Sequence, residues 1–272
     1  NYPDVNEVFD RDGSDAMRWF LMSSPILRGG NISVTEQGIR EGVRQALLPL
    51  WNSYHFFALY ANASSYTASP SMASTQLLDR YILAKTRELI DSVTLDLDTF
   101  DSFAASAKVR DFAEVLTNWY IRRSRDRFWE GNKDAFDTLY TVLEAAFRVI
   151  APMLPLVAEE MWRGLTNGRS VHLESWPEAE EFLEDAHLVR DMDAIREAAS
   201  SGLSLRKSSG IRVRQPLAKI TVAVVGSDSL RDYAELLADE LNVKAVDIVE
   251  ANAETSSSFG LKQSLAVNAR AL

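Results

Sequence analysis

Four arginines within six residues, Arg122, Arg123, Arg125 and Arg127, lie between the aromatic pairs Trp119-Tyr120 and Phe128-Trp129. A guanidinium stays charged and donates two parallel hydrogen bonds to a phosphate. Interleaved aromatic rings can stack on exposed bases. From Trp119 to Lys133 five cations stand against two acids, a local net charge of +3. The whole chain, with 29 basic and 39 acidic residues among 272, carries −10. The run therefore suits a polyanion. A competing reading comes from the helical wheel. The apolar stripe Val109, Phe112, Leu116, Trp119 continues into Arg122 and Arg123, while Ile121, Ser124 and Phe128 lie opposite. Either both sides of this helix are covered, or some of these arginines pair with carboxylates inside the protein.

A second basic run, Leu205 to Leu217, holds Arg206, Lys207, Arg212 and Arg214, and no acid occurs between Glu197 and Asp228. Its glycine and proline mark a loop. The alternative is a solvated basic linker facing the acidic stretch 174–197, which has nine acids against two arginines. A third group, Asn52, His55 and Phe56, shares one helical edge by its i, i+3, i+4 spacing. Nearby Trp51 and Tyr60 read as core residues, whereas packing alone does not explain Asn52.

Other chemistry is missing from the sequence. There is no cysteine, hence no disulfide, thiol nucleophile or Cys-bearing zinc site. The three histidines, His55, His172 and His187, are far apart. No glycine pattern matches a dinucleotide loop or a P-loop, and no serine sits in a nucleophile elbow. No run of about 18 apolar residues is present.

The elements that must position these groups are mainly helical. A short helix over 16–22, capped by Ser14 or Asp15, precedes a loop at 27–31. A long helix over 36–62, apolar on nearly every side and kinked at Pro49, is expected to be buried by several neighbours. Ser64–Ser74 reads as a flexible loop and a first site of proteolysis. Helices follow over 76–97, 101–129 and 133–163, the last interrupted at Pro152 and Pro155. Short connections imply an antiparallel bundle. A further helix covers 186–201, and a boundary falls near Gly202–Gly210. Beyond it the period changes to strand 220–225, helix 230–241 and strand 245–249, a β-α-β unit with a third strand expected near 261–267. The expected fold is mainly α. It consists of a segment over 1–33, a bundle over 34–177, a linker helix over 178–209 and a small α/β module over 210–272.

Several of these runs resemble the class I aminoacyl-tRNA synthetases. Gly13-Ser14-Asp15-Ala16-Met17-Arg18-Trp19-Phe20 is similar to the segment after their Lys-Met-Ser-Lys-Ser signature, and Asn1-Tyr2-Pro3-Asp4 to the continuation of that signature. Asn118–Trp129 resembles a run in the anticodon-binding bundle of the isoleucyl family, Arg206–Leu217 resembles another run of that family, and Ser175-Trp176-Pro177 resembles the end of such bundles. The resemblance covers essentially the whole chain.

It implies a parent ligase that joins isoleucine to its tRNA with ATP and Mg²⁺. This chain would be its RNA-docking part, with no cofactor of its own and inactive alone. A stem-contact segment would occupy 1–33 and an anticodon-binding bundle 34–177. The expected partner is isoleucine tRNA, with no membrane, in a monomeric cytoplasmic protein. Residues expected to touch tRNA are Asn52, His55, Phe56, Trp119, Arg122, Arg123, Arg125, Arg127, Trp129, Arg206, Lys207, Arg212 and Arg214. The alternatives are the same region of a valyl or leucyl enzyme, or a helical protein-interaction scaffold, which would need an exposed apolar groove.

Overall fold

The computed structural model describes residues 3–252. The chain divides into two compact units between Asp185 and Ala186.

The first unit is helical throughout. It runs through α1 (Val5–Asp12), α2 (Ser14–Met22), α3 (Glu36–Gly42), α4 (Leu48–Ala63), α5 (Leu77–Asp98), α6 (Ser102–Glu114), α7 (Arg122–Trp129), α8 (Lys133–Ile150) and α9 (Pro155–Thr166). Helix starts follow their side-chain caps, which satisfy N–H groups that the helix itself leaves open. Asp101 accepts from Ala104 N at 3.1 Å and Asn132 from Ala135 N at 3.0 Å. The short connections after α5 and α7 make each following helix run back along its predecessor, as the sequence implies. The central helix is α8, which packs on α4, α5, α7 and α9. It buries Phe136, Leu139, Val142, Leu143, Phe147 and Ile150.

Two π-helical turns interrupt the long helices: Val43–Leu47 between α3 and α4, and Val115–Ile121 between α6 and α7. The first lies directly before Pro49, whose ring has no N–H to give the preceding turn. The second resolves the conflict on the helical wheel. Continued as an α-helix, the buried stripe Val109, Phe112, Leu116 would pass through Arg123 and Arg127. A π turn acts as a one-residue insertion. The stripe is accordingly displaced by one, and Ile121, Ser124 and Phe128 become the buried side of α7.

Several local expectations are corrected. Asp15 does not cap its own helix; it accepts from Leu156 N at 2.9 Å and Val157 N at 2.7 Å, at the start of α9. Beside it Arg18 Nη2 donates to the Pro152 carbonyl at 2.7 Å. The long apolar helix is not covered all round. One side of α4 buries Leu50, Ser53, Phe57 and Ala61, and the other leaves Leu48, Trp51 and Leu59 at 44, 38 and 56% exposure. Ser64–Ser74 has no regular structure but is tied down. Ser69 N donates to Asp137 Oδ1 at 3.0 Å, Ser71 N to Thr141 Oγ1 at 2.8 Å, and the Tyr66 hydroxyl donates to Asp137.

The second unit begins with α10 (Ala186–Ser208), which runs straight through Gly202. Gly202 marks close packing and not a break: a Cβ there would lie 2.7 Å from Leu241 Cδ2. The helix expected to link the bundle to the α/β module thus packs within the latter. Strand β1 (Ile220–Val224), α11 (Ser227–Leu230), α12 (Ala234–Leu241) and β2 (Val246–Glu250) complete the described residues. The two strands pair in parallel, Ile220 opposite Val246, giving the expected β-α-β order. The third strand proposed near 261–267 lies outside the described residues.

Candidate nucleic-acid interface

Two open helix edges meet in the first unit. Phe56 of α4 stands edge-on to Phe128 of α7, with ring centroids 5.0 Å apart, and tilts against Tyr60 at 4.5 Å. Phe56 is half-buried and forms the joint. On the α4 side of it Asn52 and His55 are exposed, with no side-chain hydrogen bond among the described residues, and Leu48, Trp51 and Leu59 extend the same edge. On the α7 side lie Arg122, Arg125 and Trp129, the last 79% exposed. Arg122 Nε donates to the Asn118 carbonyl one turn back at 2.7 Å. Arg125 has no ion pair among the described residues. The assembled surface combines a planar amide, an imidazole, two guanidinium groups and exposed rings, which suits stacking on bases and holding phosphates.

Two residues expected on this surface lie inside. Trp119, within the π turn, is buried; the Arg123 guanidinium lies over its ring at 5.2 Å from the centroid. To stack on a base it would have to leave the core. Arg127 points into the bundle. Its Nη1 and Nη2 donate to the two oxygens of Asp79 at 2.7 and 2.6 Å. The Tyr120 hydroxyl donates to the same carboxylate at 2.9 Å and Ser74 Oγ at 2.6 Å. Asp79 is wholly buried. Burial works against the Arg127 charge and the Asp79 carboxylate more than offsets it, so its pKa is raised. The Tyr120 hydroxyl is pushed well above its usual range, first by burial and then by the Asp79 charge. Arg127 is therefore the structural partner of Asp79.

Sequence reasoning missed Asp79, although a signal was present. It continues the apolar stripe Ile82, Leu83, Thr86, Ile90 and Val93 of α5. A lone carboxylate on a buried stripe requires a cation opposite, and Arg127 is that cation. Leu48, Trp51 and Leu59 were missed for the reverse reason, because an apolar residue at helical spacing reads as core.

In the second unit, Arg206 is buried while Lys207, Arg212 and Arg214 are exposed. Arg206 Nη2 donates to the carbonyls of Arg212 at 2.6 Å and Val213 at 3.3 Å, and also to that of Gln215. It was expected to touch RNA directly; instead it holds the loop. The acids at the start of α10 are engaged locally, Asp191 by Arg190 at 2.9 Å and Asp193 by Arg196 at 3.1 Å.

Residues 79–222 match the family model described as the anticodon-binding domain of tRNA ligase. The chain belongs to that family. Among curated proteins it is 60% identical over 278 residues to the isoleucine–tRNA ligase of Leifsonia xyli, covering 100% of this chain and 24% of that protein. It is 55% identical over 271 residues to the isoleucine–tRNA ligase of Nocardia farcinica, covering 100% and 25%. It thus spans about a quarter of the length of these relatives. Among solved structures, a ternary complex of LeuRS, tRNA and LeuAMS from Agrobacterium radiobacter aligns at 22% identity with a TM-score of 0.48. That alignment covers 69% of this chain and 21% of the other.

Proposed function

We propose that this chain is the anticodon-binding part of an isoleucine–tRNA ligase and that its partner is isoleucine tRNA, bound by a single copy of the chain. The isoleucyl reading, in preference to a valyl or leucyl one, rests on the names of the relatives and on the Asn118–Trp129 and Arg206–Leu217 runs. The observation that carries RNA binding is the pair of open edges about the Phe56–Phe128 joint. Asn52 and His55 offer hydrogen-bonding groups to base edges, Arg122 and Arg125 hold phosphates, and Trp51 and Trp129 offer faces for stacking. Arg123, half-buried over Trp119, supports this edge. The joining of isoleucine to tRNA with ATP and Mg²⁺ belongs to the complete ligase; the residues above supply orientation of the RNA.

Filter binding tests the reading. The chain should retain isoleucine tRNA more tightly than a tRNA with an unrelated anticodon. Asn52→Ala should narrow that difference more than it lowers affinity for either RNA, because an amide reads base edges and not phosphates. Equal retention of all tRNAs by the unmodified chain would refute it.

A further inference from the structure

Arg206 is 5% exposed, and no carboxylate among the described residues pairs with it. One terminal nitrogen serves three loop carbonyls, while Nε and Nη1 are buried with no partner among the described residues. A buried cation without a counter-charge is costly. Carbonyl dipoles only partly balance it. The same loop is held from its other side. Asn242 Nδ2 donates to the Val213 carbonyl at 2.9 Å, Leu217 N to the Asn242 carbonyl at 3.1 Å and Lys244 N to the Leu217 carbonyl at 3.0 Å. Ile211 N donates back to the Arg206 carbonyl at 2.9 Å and Gln215 N to that of Arg212 at 3.0 Å.

The carbonyls of 212, 213 and 215 are thus drawn inward, and Arg212 and Arg214 are left in solvent beside Lys207. None of these three has an ion pair among the described residues. By contrast Lys219, next along the chain, is paired with Asp247. Four positive charges at 206–214 therefore stand together, and the nearest acids along the chain are Glu197 and Asp228.

We propose that the loop 211–216 is a phosphodiester clamp: Lys207, Arg212 and Arg214 bind consecutive phosphates of an RNA strand, and Arg206 is the positioning residue that shapes the loop for them. This rests on the reading that the chain binds tRNA, and adds to it a contact that is blind to base sequence. An extended row of phosphates matches two cations on one fixed loop and a third in the last turn of α10, and an acidic polypeptide would hold its charges less densely. The contact anchors the RNA while the α4 and α7 edges read it.

The test is tRNA affinity of the 272-residue chain across a salt series. Removing two phosphate contacts in Arg212→Ala/Arg214→Ala should reduce the slope of log affinity against log salt by roughly 1.4 to 1.8 and weaken binding about 30-fold at about 0.1 M salt. The loss should be equal for isoleucine tRNA and other tRNAs. Arg206→Lys keeps the charge but not the forked geometry, and should lose a similar slope with an unchanged circular dichroism spectrum. Arg231→Ala removes a charge already paired with Asp228 at 3.2 Å and should bind as the unmodified chain does. A double variant with the original slope overturns the clamp; an Arg206→Lys variant with the original slope overturns the positioning role. A chain that binds all tRNAs alike, yet loses slope in the double variant, keeps the clamp and refutes anticodon recognition.

Discussion

Arg125 and Arg127 stand two residues apart, and the structure leaves one exposed and turns the other into the bundle. Arg127 completes a buried bidentate pair, so Arg127→Ala strands the Asp79 carboxylate without a cation. Breaking such a pair costs about 3 to 5 kcal/mol. Because the Arg127 side chain keeps 21% exposure, the lower end applies, and the melting temperature of the first unit should fall markedly. Arg125→Ala should leave stability within about 0.5 kcal/mol. It should instead lower tRNA affinity and reduce the salt slope by roughly 0.7 to 0.9. Thermal melts and salt-dependent binding of the two variants check this together, and a reversed pattern would reassign both arginines. From sequence the two could not be told apart. Each is an arginine in the same helical run, and only the position of Asp79 on α5, 48 residues earlier, distinguishes them.

At the scale of elements, the helical order, the change to a β-α-β unit and the composition of α7 were legible because they follow from periodicity. Three features were not. The π turn at Val115–Ile121 leaves no mark on hydrophobic spacing except two stripes that disagree, which is what the wheel showed. Gly202 resembles a break although it permits contact with Leu241. The stretch 64–74 is rich in Ser and Ala, as flexible loops are, yet its backbone is bound to Asp137 and Thr141 of α8. The proteolytic expectation changes accordingly. The chain should resist cleavage between Tyr66 and Ser71, and Asp137→Ala, which removes the acceptor of both the Tyr66 hydroxyl and Ser69 N, should open that segment. Mass analysis of early digestion products decides the matter; prompt cutting there in the unmodified chain would show that these bonds do not hold it.

Across the whole molecule, a net charge of −10 opposes a polyanion at long range, so association depends on local cations held in place by packing. The first unit is tied together over long sequence distances, most directly by Asp15 at the start of α9. Burial is the largest influence on that carboxyl and raises its pKa above 3.8, against the pull of the Val157 and Leu156 amides. A raised acid favours the folded state at low pH, and its contribution declines as pH climbs from 3.8 through the folded value. Asp15→Asn keeps an oxygen for both amides and removes this dependence. The stability of the unmodified chain relative to Asp15→Asn should therefore decrease over that window and then level off. Asp15→Ala should be about 1 kcal/mol less stable than Asp15→Asn at every pH, since two helix amides lose their acceptor. Urea melts at several pH values measure both, and a relative stability that rises with pH would contradict the assignment.

The π turn also restricts how this protein can vary. Each residue advances an α-helix by about 100°, so one codon gained between 115 and 121 would swing the Arg122–Trp129 segment around its axis. Arg123 and Arg127 would then follow the buried stripe, and Phe128 would leave it. One codon lost would only turn the π turn into an α turn and leave Phe128 where it is. Among homologous chains, this stretch should accept the loss of one residue more readily than the gain of one.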